Sequence, residues 1–305
     1  MSVVDLTTHV AGLTLANPLL PGSGPPGDNL AKLRTLQEAG IGALVTKTIS
    51  VQPPHIPKPC MAFEGDLFFN VEKWSDKPVE TWLRDILPGL QPRTVPLLVS
   101  LGYSSDDLQQ LIPAFEAAAD GFEISTHYIA DNPEQLRQTV KALCALTAKP
   151  IVVKLSAHAR DIAGSAIAAE QGGAAAITAI NSIGPVLAID VEKRASRLGE
   201  DSPYAWLSGP AIKPIALRCV YDIQRAVRIP VIGCGGVSRG TDVLEFILAG
   251  ASAVECCTGL IRKGPGLIAS LLQDITDWCD AHHVHSLAEL RGSALPSYRP
   301  SSTTL

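Results

Sequence analysis

Short apolar, β-branched runs alternate along this chain with segments in which apolar residues return every three or four positions. The runs Leu19–Ser23, Ala43–Thr48, Pro96–Leu101, Gly121–Thr126, Ile151–Leu155, Ala175–Ile180, Pro230–Cys234 and Ala253–Cys257 read as strands. Several are apolar at nearly every position, as strands covered on both faces are. Helical spacing predicts helices over Asn29–Ala39, Val79–Leu87, Ser105–Ala118, Pro133–Leu146, Ala159–Gln171, Pro214–Ala226, Thr241–Leu248 and Gly264–Ala281. Glycine stands just past several of them, at Gly40, Gly172-Gly173 and Gly250, where a helix stops before the next strand begins. Eight strand–helix units in regular order favour an α/β fold of the (β/α)8 TIM-barrel type over a doubly wound open sheet.

Two stretches break the rhythm, at about 49–78 after the second strand and at 184–212 after the sixth. Connections of that length inside a compact barrel are usually functional. Both leave the C-terminal ends of strands, where barrel active sites assemble. The expectation is one domain over residues 1–305 with its site at that end.

Composition narrows the class. With 46 % hydrophobic and 18 % charged residues in 305, the chain is globular, without long disordered segments. Thirty acidic against twenty-five basic residues give a net charge of −5, and no Lys/Arg block offers a nucleic acid a basic stripe. The seven cysteines, at 60, 144, 219, 234, 256, 257 and 279, contain no C-x-x-C pair, so neither a clustered iron–sulfur site nor a zinc ribbon is expected. No apolar run has membrane-spanning length, and polar Thr7, Thr8 and His9 stand where a signal-peptide core would begin. A cytoplasmic protein without a membrane contact or a metal is expected.

The strand ends carry the chemistry. Ile232-Gly233-Cys234-Gly235-Gly236-Val237 follows strand seven and Thr258-Gly259 follows strand eight. These two loops form the usual barrel phosphate site, because glycine lets backbone N–H groups approach an anion closely. Two lysines, Lys47 and Lys154, end apolar strands. An unpaired buried ammonium is costly, so an anionic ligand is expected beside them, either a phosphate or the electron-rich edge of a reduced flavin. Ser23 with Gly24, the segment Ser125–Tyr128, and Asn181 with Ser182 close other strands with groups suited to a flat polar ligand.

Four segments resemble the FMN-dependent dihydroorotate dehydrogenase and dihydropyrimidine dehydrogenase family: Thr46-Lys47-Thr48-Ile49-Ser50, Phe69-Asn70-Val71-Glu72, the stretch Leu207–Leu217 and Gly233-Cys234-Gly235-Gly236. The stretch Ser208–Leu217 is long and highly specific, and Phe69–Glu80 resembles the pyrimidine-reducing branch more than the dihydroorotate branch. The resemblance implies FMN above the barrel, approached by Ser23 and Gly24. Lys47 with Thr48, and Lys154, would bond the ring or ribityl. Gly235, Gly236, Thr258 and Gly259 would hold the phosphate, with Ser208 and Gly209 close by. Asn70, Glu72, Asn181 and Ser182 would line the substrate side. It also implies hydride transfer between flavin N5 and a C=C or CH–CH unit of a small cyclic, amide- or carbonyl-activated substrate, with Lys154 facing the charge that develops. A homodimer is the common assembly.

The chain departs from the family where the proton should move. Members carry an Asn-Leu-Ser-Cys-Pro-like segment with Cys or Ser as acid or base, whereas this chain has Glu123-Ile124-Ser125-Thr126-His127-Tyr128. Tyr128 stands at the Cys position with His127 beside it, and both residue types serve as proton donors. Two alternatives stay open: a flavin-binding but catalytically silent partner subunit, and a non-flavin barrel with Lys154 as a Schiff-base lysine. No iron–sulfur cluster or Gly-x-Gly-x-x-Gly fingerprint supplies electrons, which leaves a separate electron-transfer partner, a soluble second substrate or a visiting nicotinamide.

Overall fold

A computed structural model describes residues 4–102, 104–126, 132–199 and 202–294. The eight expected strands are present as β1 (Leu19–Pro21), β2 (Leu44–Val45), β3 (Leu97–Leu101), β4 (Gly121–Ser125), β5 (Ile151–Leu155), β6 (Ala176–Ala179), β7 (Val231–Cys234) and β8 (Ala253–Cys256). They form an eight-stranded parallel sheet in the order β1-β8-β7-β6-β5-β4-β3-β2. The Gly42 N–H donates to the Leu19 carbonyl at 2.9 Å and joins the approach to β2 to β1, closing the barrel.

Helical segments follow the strands where the spacing predicts them, at Leu30–Glu38, Ser105–Phe115, Pro133–Cys144, Ile162–Gln171, Lys213–Ala226, Gly240–Leu248 and Leu267–Ala281. Asn29, Asn132 and Asp161 each cap one of them by accepting a backbone N–H three residues on. The segment after β2 winds less evenly, as Val79–Thr81, a wider turn over Trp82–Ile86, and Leu87–Gly89, which contains Pro88. Thr258–Lys263 forms an additional short helix directly after β8.

Strand alternation sorts the interior into two layers. Leu20, Val45, Leu98, Val152, Ala176, Ile232 and Ala253 pack together with Val10, Ala11 and Leu15. The last three belong to an N-terminal hairpin, Thr8–Val10 with Leu13–Leu15, that plugs that end of the barrel. Two residues on, the same strands present Ser100, Glu123, Lys154, Thr178, Cys234 and Glu255, all buried. The intervening residues, among them Val99, Phe122, Ile124, Val153, Ile177 and Val254, face the surrounding helices in the larger core.

The two long connections meet. Met61–Glu64 and Leu67–Asn70 from the first join Ile183–Leu187 and Tyr204–Ser208 from the second in a four-stranded antiparallel sheet. Trp206 stands opposite Asn70, and Leu207 opposite Phe69. The sheet has its own small core around Phe69, Ala188, Leu198 and Ala205. Among the described residues no helix is long and apolar enough to cross a membrane.

Candidate active site

Two compartments open where the barrel strands end and the small sheet begins. The first, of about 150 Å³, is bordered by Ser23, Gly24, Lys154, Ser208, Gly235, Gly236 and Thr258 on the barrel side. The second, of about 360 Å³, reaches outward past Thr48, Ser125, Trp74, Tyr204 and Trp206. Ser23, Asn70, Glu72, Lys73, Asn181 and Ser182 line both, so the two are parts of one cleft.

The glycines after β7 are required by packing as well as by any ligand. Gly236 has φ +79°, and a Cβ there would stand 2.7 Å from Lys213 Cβ and 3.0 Å from the Gly209 carbonyl. Gly235 has φ +137°, and its Cβ would lie 2.8 Å from that of Ala216. Gly209 and Gly259 therefore sit behind the cleft wall: Gly209 backs Gly236, and Gly259 packs against Val237 and Cys256. Asp242 fastens this loop. It accepts from Ser238 N at 2.8 Å and Arg239 N at 2.9 Å, and Lys213 Nζ donates to it at 2.7 Å.

The lysines differ from the expectation that a ligand must supply their counter-charge. Lys47 Nζ donates to Glu72 Oε2 at 2.5 Å; Glu72 lines the cleft, whereas Lys47 borders neither compartment. Lys154 Nζ lies 2.6 Å from Glu255 Oε2, 3.6 Å from Glu123 Oε1 and 3.2 Å from Ser23 Oγ. Burial acts to lower the Lys154 pKa, but the surrounding groups (Cys234, Glu123 and Glu255) hold it well above the usual lysine range. Cys234 brings no charge, since burial pushes its thiol well above its ordinary value, so the physical source is Glu123 by its charge together with the hydrogen bond to Glu255. Glu123 and Glu255 escape a reading based on strand ends. Their signal is a lone carboxyl inside an otherwise apolar strand, in Gly-Phe-Glu-Ile-Ser and in Ala-Val-Glu-Cys.

Amide groups line the opposite side. Asn70 Nδ2 donates to the Trp206 carbonyl at 3.3 Å, which ties its orientation to the register of the small sheet. Asn181 accepts from Ser182 N at 2.8 Å and reaches Ser125 Oγ at 3.4 Å. His127 and Tyr128 lie outside the described residues.

The cleft thus combines the glycine loop after β7, Thr258 after β8, the buried lysine on β5 and the amides of Asn70 and Asn181. The family model for dihydroorotate dehydrogenase matches residues 5–278. The chain belongs to the dihydroorotate dehydrogenase family. Similar relatives include the protein named dihydroorotate dehydrogenase B (NAD(+)), catalytic subunit, from Desulforudis audaxviator, 35 % identical over 95 % of this chain and 98 % of the relative. Proteins of the same name from Methanothermobacter thermautotrophicus (32 %) and Maridesulfovibrio salexigens (35 %) match over the same shares. Membership bears out the barrel, the FMN cofactor and the class of oxidoreductase acting on CH–CH bonds that the resemblance implied.

Proposed function

We propose that this protein is an FMN-dependent oxidoreductase that moves a hydride between the cofactor and a CH–CH or C=C unit of a small cyclic amide. The observation that carries this reading is the single cleft in which the glycine cradle, Lys154, and Asn70 with Asn181 converge. The residues present suit the cofactor. Gly235 and Gly236 present side-chain-free backbone to the cleft where a phosphate could meet N–H groups, the ammonium of Lys154 stands at the floor, and a buried carboxyl oxygen of Glu255 is without a donor. Gly235, Gly236 and Thr258 would hold the phosphate, Ser23, Gly24 and Ser208 the chain leading from it, and Lys154 the ring. When bound, FMN supplies the hydride chemistry.

On the substrate side Asn70 and Asn181 offer both a donor and an acceptor, the complement of a cyclic amide. Glu72 is already paired with Lys47, so it reads that amide as a fixed acceptor within a neutral pair. Trp74, Tyr204 and Trp206 give the outer compartment flat walls. Protonation of the carbon next to the hydride falls to Tyr128 or His127. The catalytic-subunit names of the relatives support a separate electron-transfer partner, and a cytoplasmic homodimer belongs to the same reading.

The test is direct. Purified protein should carry or take up FMN with a flavin absorbance band, and dihydroorotate or dihydrouracil should bleach that band anaerobically. A protein that binds FMN but is reduced by neither, and reoxidised by neither orotate nor uracil, would be a silent flavin-binding subunit. Light scattering in solution checks the dimer.

A further inference from the structure

The polar layer inside the barrel holds two carboxyl groups and one ammonium, all three buried. The side chains of Glu123 and Glu255 are fully buried, and that of Lys154 is 5 % exposed. The two acids are not equally provided for. Thr178 Oγ1 donates to Glu123 Oε2 at 3.1 Å, and Ser100 Oγ to Glu123 Oε1 at 3.4 Å. Glu255 accepts from Lys154 through Oε2 and adjoins the Glu123 carboxyl, and no donor reaches its buried Oε1. Glu255 also borders the inner compartment of the cleft, beside Ser23, Cys234 and Cys257.

The charged and titratable groups around Glu255 can be followed strand by strand. Glu123 faces it from β4, Lys154 from β5 and Cys234 from β7, with Cys257 just past the end of its own strand. Burial pushes the Cys257 thiol up to about 12, so neither cysteine contributes a charge at neutral pH. Lys47 lies further off and is neutralised by Glu72. One positive charge therefore faces two acids. With both ionised, a net negative charge would stand in a buried, weakly polarisable interior, which disfavours the second ionisation strongly.

We propose that Glu255 carries a proton in the resting protein, which makes the Glu123–Lys154–Glu255 triad neutral and lets Glu255 set the charge beneath the bound cofactor. The hydroxyl donors on Glu123 favour the ionised form there, whereas no donor satisfies Glu255 Oε1, and a proton on Glu255 faces the neighbouring Glu123 carboxylate as its acceptor. Burial and the Glu123 charge raise the Glu255 carboxyl well above the usual range, and although burial also acts on Glu123, Lys154 and its hydrogen-bond donors hold that group low. The two acids titrate as a coupled pair, so the proton is a property of the pair seated on Glu255. Its release to solvent leaves the triad with one net negative charge and makes electron uptake by the cofactor less favourable. Glu255 is thus a positioning residue, acting through the field it sets. The second half of the proposal rests on the FMN reading above.

Infrared spectroscopy of the cofactor-free protein tests the first half alone. A carbonyl stretch of an un-ionised carboxylic acid should be present at neutral pH in the wild type and lost in Glu255→Gln, with circular dichroism showing the variant folded. Absence of the band in the wild type, or its persistence in folded Glu255→Gln, overturns the assignment. Should the variant fail to fold, isotope labelling of the glutamate carboxyl carbons should shift the wild-type band at neutral pH, and an unshifted band overturns the assignment. The second half is read from the flavin midpoint potential against pH. Wild type and Glu255→Gln should follow one line in the acid range, and the wild type should fall below the variant once Glu255 ionises. Parallel lines over the whole range overturn the field effect. Failure to take up FMN overturns that half together with the cofactor reading, whereas the infrared band stands or falls by itself.

Discussion

Lys47, at the end of the strand-two segment, and Glu72, just past the Leu67–Asn70 strand of the small sheet, form a 2.5 Å ion pair with both side chains largely buried. The pair joins the small sheet to the barrel at the cleft. Removing one partner leaves the other charge buried and uncompensated, so Lys47→Met should destabilise the fold by about 3 kcal/mol. The double variant Lys47→Met/Glu72→Leu should recover most of that loss, because two apolar groups need no counter-charge. Denaturant melts of the four-member cycle check this, and additive losses would mean that the pair does not couple the two sheets.

Gly236→Asp should abolish FMN retention. The position has φ +79°, a Cβ would press on Lys213 and on the Gly209 carbonyl, and the carboxylate would bring a negative charge to the loop expected to hold the phosphate. Because the packing clash alone could loosen the loop, Gly236→Ala serves as the comparison. It carries the strain without the charge, and should lose less FMN affinity in a fluorescence titration while melting at a similar temperature. Equal affinity in the two variants would remove the phosphate from this loop.

The barrel was legible because its strands are apolar on both faces and its helices keep their spacing. Even the two irregular connections were visible as interruptions. That they would pair into one sheet was not, since Met61–Glu64 and Ile183–Leu187 are short, partly exposed strands with weak alternation. The site residues at strand ends could be named one at a time from their position. Their partners could not: Lys47 and Lys154 looked like cations awaiting a ligand because Glu72 comes from a loop and Glu123 and Glu255 lie across the barrel. A one-dimensional pattern shows that a charge is buried, but the residue that balances it is set by barrel closure.

Lys154→Ala should slow flavin reduction more than it weakens FMN binding, since its charge matters most as negative charge develops. The geometry adds a pH effect on the cofactor-free protein. Without the ammonium, Glu123 and Glu255 face one another alone, and Glu255 is already raised well above the carboxylate range by burial and by Glu123. A raised folded-state pKa gives stability that is complete below the unfolded carboxylate value and is lost as pH rises through the folded one. The variant should therefore melt closest to wild type in mild acid and fall away from it toward neutral and alkaline pH. A constant difference in melting temperature across that range would count against the shared triad.

Asp242 gives the opposite sign. Although burial acts to raise its pKa, Lys213 and the Ser238 groups outweigh burial and hold the carboxyl below the usual range. A lowered folded-state pKa contributes stability above the unfolded value, and that contribution disappears as pH falls through the folded one. Asp242→Asn should cost about 2 kcal/mol at neutral pH, the worth of charged hydrogen bonds to Lys213 and the loop N–H groups. The gap to wild type should close in acid, and a gap that persists there would assign the loss to packing instead.

The remaining question is the proton. Tyr128 and His127 are adjacent in a segment that replaces the family's Cys-bearing motif, and one hydroxyl separates Tyr128→Phe from wild type. If Tyr128 is the acid, the substitution should leave FMN affinity and substrate affinity nearly unchanged and slow the protonation-coupled hydride step by about 10²–10⁴-fold, the usual worth of a positioned general acid. His127→Asn should then be close to silent in stopped-flow reoxidation by substrate. A reversed pattern makes His127 the acid and Tyr128 the group that orients it. The pH profile separates these roles, because an imidazole acid loses rate as pH rises through neutrality whereas a phenol keeps its proton into the alkaline range. Wild-type rates in both variants would leave no catalytic replacement in this segment, and protonation would have to come from solvent.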